Sequence, residues 1–158
     1  MASTTHHTIL IYRNGVREGY IHEDEADEAI TPGMLVSFDT DEEIQKHADA
    51  DGVQSRMFAL ENPYDDDTSA AAIDSDYAAG DTVRYFYAVP GDVVYAWNAH
   101  GGSAAVKGVS RLVSDGAGLL KVVTVDASTL ATAVVGVADE DVDNSGGSAK
   151  VRIKMRIV

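Results

Sequence analysis

The last strand-like segment, Val151–Ile157, constrains the fold more than any other stretch of the chain. Val151, Ile153, Met155 and Ile157 alternate with Arg152, Lys154 and Arg156. A period of two places one row on a buried face and the other, here wholly basic, on the opposite face of a β-strand. Upstream, shorter apolar or β-branched runs stop repeatedly at Gly, Pro, Asn or Asp. They are Ile9–Tyr12, Met34–Phe38, Arg56–Glu61, Thr82–Val89, Val93–Trp97, Val106–Val113, Leu119–Val125 and Thr132–Ala138. Many short strands between such turns predict a mainly β fold, a small β-barrel or β-sandwich.

The turn residues suggest how the runs connect. Asn14-Gly15 favours a tight hairpin between Ile9–Tyr12 and a return strand over Val16–His22. Pro90-Gly91-Asp92 is expected to fold Thr82–Val89 back onto Val93–Trp97, and Asp115–Gly118 to lead into Leu119–Val125. Helix is confined to one or two short pieces. Residues 41–50 predict one, with Asp39 or Thr40 as cap and Asp41, Glu42 and Glu43 at the favourable end of its dipole. Residues 70–79 predict a single helical turn closed by Gly80, and 126–131 a short helix or loop. Residues 1–8 are small and polar and read as a flexible N-terminal arm. Residues 9–158 form a single domain, with 62–76 as the place for a loop insertion.

A chain of 158 residues can bury a core without covalent staples. It has no cysteine, which excludes disulfides and thiolate metal sites. Asp and Glu together number 26 against 12 Lys and Arg, a formal net charge of −14. A surplus of this size repels itself in dilute salt. At molar salt the Debye length falls to about 3 Å and the repulsion is screened, so the composition predicts a protein adapted to brine. The same charge disfavours contact with nucleic acid. No apolar run approaches the length of a membrane span. Met1–His7 lacks the basic and apolar regions of a secretory signal, so synthesis in the cytoplasm is expected.

Candidate chemistry is sparse. His6 and His7 sit in the polar arm, while His22, His47 and His100 lack metal-ligand spacing. Asp139, Asp141 and Asp143 are the best cation candidates. With Ser145 and Gly146, Asp141 and Asp143 match the first half of a calcium loop, but Arg152 stands where the bidentate Glu belongs. An acidic hairpin loop is the plainer reading. Ser110 lacks the closing glycine of a nucleophile elbow, and no glycine-rich segment ends in Lys-Ser or Lys-Thr. The expectation is therefore no enzyme and no cofactor beyond weakly held cations. Tyr85, Phe86, Tyr87, Tyr95 and Trp97 suit either a core or a sugar-binding surface. Arg152, Lys154 and Arg156 suit either internal neutralisation or docking on an acidic partner.

Several stretches resemble capsid decoration, or cement, proteins of tailed viruses, particularly those of haloarchaea. They are Phe58–Pro63, Ile73–Val83, Val89–Val94 and Val135–Gly147, the last followed by the alternating basic strand. The likeness covers roughly residues 56–158. It implies a virion protein on the capsid exterior, forming a homotrimer and tying major capsid subunits together, often through a terminal arm. On that reading Thr4, Thr5, His6 and His7 would join Arg152, Lys154 and Arg156 as partner contacts. The alternatives are a head–tail connector or tail-tube subunit, a trimeric β-barrel nucleotide hydrolase, or a cation- or carbohydrate-binding β module.

Overall fold

A computed structural model of the chain describes residues 6–13, 21–52, 56–64, 71–124 and 133–158. Eleven strands are present among them: β1 (Leu10–Tyr12), β2 (Ile21–Glu25), β3 (Leu35–Phe38), β4 (Ile44–Lys46), β5 (Met57–Ala59), β6 (Thr82–Tyr87), β7 (Val93–Asn98), β8 (Arg111–Ser114), β9 (Leu120–Val123), β10 (Gly136–Ala138) and β11 (Val151–Ile157). The mainly β expectation holds, and five of the strands close into a barrel.

That barrel runs β7-β11-β10-β8-β9 and shuts through a parallel pairing of β9 with β7 at Asn98 and Leu120. β7 is its organising strand. One edge pairs with β11 along the whole length, from Asn98 opposite Val151 to Val93 opposite Arg156. The other edge is shared by several short pieces. β1 covers Val93 and Val94, Ile9 accepts from the Tyr95 amide, Gly33 from the Trp97 amide, and Leu120 from the Ala99 amide.

The second sheet has the order β2-β6-β5-β3-β4, antiparallel throughout. A parallel bridge between Ala26 and Ile44 brings the chain beyond β2 back onto β4, so this sheet also curls. Its middle strands bury both faces. Met57, Ala59, Val83 and Tyr85 join one apolar cluster, whereas Phe58 and Phe86 join the barrel's cluster. Burial on both sides explains why these segments read as unbroken apolar runs. In β11, by contrast, Ile153, Met155 and Ile157 are buried in the barrel core, as the period of two predicts.

Several local expectations are corrected. Among the described residues there is no α-helix. Residues 41–50 do not form one: Glu42 has φ +68°, and Ile44 is fully buried in β4. Asp39 does act as a cap, but its Oδ1 accepts from the Asp41 and Glu43 amides (both 2.9 Å) to make a turn. Residues 71–74 make a tight turn, after which the chain extends so that Tyr77 pairs with Ile30. Tyr77 is fully buried and its hydroxyl donates to the Leu60 and Glu61 carbonyls; burial raises its pKa. The ends of the expected loop insertion are tied together, since Asn62 Nδ2 donates to the Asp76 carbonyl (3.1 Å). Residues 14–20, 65–70 and 125–132, which carry the Asn-Gly signal, the aspartate triplet and the connection at 126–131, lie outside the described residues.

Of the expected return strand Val16–His22 only Ile21 and His22 are described; they belong to β2, which lies in a different sheet from β1. The same is true of β6 and β7, so Pro90–Asp92 passes the chain between sheets. The turn at Asp115–Gly118 does join an antiparallel pair, β8 and β9. Asp115 Oδ1 accepts there from the Ala117 and Leu119 amides.

Candidate partner interface

The basic row of β11 splits into two roles. The Arg152 side chain is only 9% exposed. Nη1 pairs with Asp74 Oδ1 at 2.6 Å, and Nη2 donates to the Ile73 carbonyl and to the Pro32 carbonyl at 3.2 Å. The guanidinium lies 4.2 Å from the centre of the Trp97 ring, whose Nε1 also donates to Pro32. Lys150 Nζ sits 4.5 Å from the same ring, and desolvation lowers its pKa. Arg152 therefore fastens the 71–76 segment and the Pro32 turn to the barrel. It serves internal neutralisation rather than an outside partner.

Lys154 and Arg156 remain on the outer face. The backbone amide of Lys154 is held by Glu140 Oε1 (2.6 Å), while its ammonium makes no ion pair among the described residues. Arg156 approaches Asp139 at 3.5 Å and stays half exposed. These two cations line a groove of about 360 Å³ together with His6, Ile11, Tyr12, Val93 and Asp139. Ladder register explains the grouping. Tyr12 lies opposite Val93 and Val93 opposite Arg156, so one row of side chains crosses three strands. Lys154 lies opposite Tyr95, and His6 packs edge-on against the Tyr95 ring at 5.2 Å. The arm is thus already seated by His6; His7 is exposed, and Thr4 and Thr5 lie outside the described residues.

The three aspartates offered as cation ligands do not converge. Asp139 faces Arg156, Asp141 Oδ1 accepts from the Lys107 amide (2.8 Å), and Asp143 Oδ1 accepts from the Ser145 amide and hydroxyl. Those two bonds lower the pKa of Asp143. Only Asp143 caps its own turn; Asp139 and Asp141 face partners distant in sequence. The aromatic set is core: Tyr85, Phe86 and Tyr95 are buried, and Tyr87 and Trp97 pack against the second cluster.

Sequence reasoning missed a different acidic group. Asp27, Asp39 and Glu43 bring carboxylate oxygens within 4.8 Å of one another. Asp39 and Glu43 come from one turn and Asp27 from another segment, and only the density of acids at 39–43 hinted at it. Desolvation, then Glu25, Asp39, Asp27 and Asp41, raise the pKa of Glu43 above its ordinary 4.5. A raised carboxylate pKa means the folded state binds the proton more tightly than the unfolded chain. Stability is then lost as pH rises from 4.5 through the raised value. Glu43→Gln is therefore expected to raise the melting temperature at pH 7 in dilute salt, with a smaller gain in molar salt, where the repulsion is screened. Equal melting temperatures for the two proteins in dilute salt would contradict this.

Compared with protein-family models and with curated proteins, the chain matches none.

Proposed function

We propose that this chain is a structural virion subunit that decorates the outside of an icosahedral shell and cements neighbouring capsid subunits in concentrated salt. One observation carries the reading. The N-terminal arm and the last strand, almost the full chain apart in sequence, meet at one groove on an outer sheet face. Its floor is the β7–β11 ladder, six residue pairs long. A clamp works by contact, and contacts presented on a rigid frame lose little freedom on binding. The net charge of −14 suits work in brine. The resemblance of residues 56–158 to decoration proteins supports the same role. The partners on this reading are a major capsid subunit and further copies of the chain as a homotrimer.

Re-decoration of stripped shells tests it. Deleting residues 1–8, or combining Lys154→Gln with Arg156→Gln, is expected to weaken binding to the shell by about tenfold, equivalent to about 1.4 kcal/mol. The double substitution should melt like the parent, since it changes side chains on the outer face; the deletion also removes the His6–Tyr95 contact, so its fold is checked by circular dichroism. Full occupancy at limiting protein by both variants would reject the role assigned to this groove.

A further inference from the structure

We infer that the groove beside Lys154 and Arg156 receives strand β2 of a second copy of the chain. This rests on reading the groove as a contact surface and names its occupant. β2 stands at the end of its sheet, paired with β6 on one side only among the described residues. Its outward row is Ile21, Glu23 and Glu25, all exposed, whereas Asp24 turns inward to accept from the Tyr85 hydroxyl at 2.7 Å. Ile21 is 49% exposed, a large aliphatic side chain at the start of a strand whose last three residues are acidic.

The groove offers the complement. Tyr12, 55% exposed, and Ile11 form an apolar end, and Arg156 and Lys154 follow across the face. Ile21 matches the apolar end, and Glu25 and Glu23 match the two cations, Glu23 giving up its contacts with the Tyr64 hydroxyl (2.6 Å) and Arg84 (3.7 Å). Glu25 also lies close enough to Glu43 to raise its pKa, so β2 borders the acidic group at Asp27, Asp39 and Glu43. Cations from a neighbour would relieve that local repulsion. Pairs of opposite charge at an interface fix its register and partner choice more than its raw strength.

β2 and the groove share no residue, so each copy can give a strand and receive one. Such a head-to-tail contact is heterologous and closes into a ring when the rotation between copies allows. In dilute salt the net charge opposes association; in molar salt that long-range term is screened while groups in contact still interact.

Sedimentation of the purified chain in molar salt, with no shell present, tests the inference. The parent is expected to associate. Lys154→Glu with Arg156→Glu, and separately Glu23→Lys with Glu25→Lys, are each expected to weaken association at least tenfold. An equimolar mixture of the two variants should restore it, because the native β2 of one meets the native groove of the other and the two reversed surfaces are complementary as well. Circular dichroism and melting curves check that both variants fold, and single replacements at Lys154 and Glu25 serve if either double variant does not. A parent that stays monomeric, or charge-reversed variants that associate as well as the parent, would overturn the inference. If the parent is monomeric yet the groove variants lose shell occupancy, the groove binds the shell directly, and the decoration role stands without self-docking.

Discussion

Arg152→Gln is expected to lower stability by about 3 kcal/mol. The replacement deletes the contact to Asp74 and strands the Ile73 carbonyl, while the Pro32 carbonyl loses one donor and keeps Trp97 Nε1. It also removes a cation from the face of Trp97. Asp74 is 59% exposed and can return to water, which keeps the loss at the lower end of the range for a broken buried pair. For a chain of this length the loss corresponds to a fall of roughly 10 °C in Tm. Because the arginine is shielded from solvent, the fall should persist in molar salt. Arg156→Gln provides the comparison: Arg156 is half exposed and stands 3.5 Å from Asp139, and a change within about 0.5 kcal/mol is expected. Thermal melts of the two variants in molar salt decide the matter. An Arg152→Gln protein melting within about 2 °C of the parent would refute the structural role assigned to that residue.

Gly136→Ala is expected to be equally severe for a different reason. A Cβ at this position would stand 2.5 Å from the Arg156 carbonyl oxygen and 3.2 Å from its carbon. Both are backbone atoms, so no side chain can swing aside. β10 cannot retreat either, because it is paired with β11 on one side and β8 on the other inside a closed barrel. Relief requires loosening one of those ladders, at a cost of about 3 kcal/mol by analogy with overpacked cores. Urea unfolding should show a lower midpoint with an unchanged slope. Gly146→Ala, which meets open space, should leave the midpoint nearly unmoved. A midpoint for Gly136→Ala equal to that of the parent would mean the barrel is more deformable than its closure implies.

The two substitutions show where sequence reading stops. Gly136 sits in an ordinary-looking run, Val134-Val135-Gly136-Val137, and nothing local marks it as the point where two backbones touch. Arg152 is one of three equivalent cations in a perfect alternation. Only its register opposite Trp97 and the path of residues 71–76 give it a buried role. Lys154 and Arg156 stay at the surface because their neighbours across the ladder, Tyr95 and Val93, lead into the groove instead.

The sequence by itself determined the β character of the chain, the buried and basic faces of the last strand, and the turn at Asp115–Gly118. Those features depend on side-chain period and on residues that cap their own turns, which are local properties. Strand partners were decided only in three dimensions. Asn14-Gly15 and Pro90–Asp92 signal reversals, yet the strands around each enter different sheets. A turn signal fixes that the chain bends; it does not fix which edge the next strand finds. Here the edges were assigned by apolar burial, since β5 and β6 must cover two cores at once. That same long-range packing carried the arm onto Tyr95, one strand away from Lys154, and so built the groove.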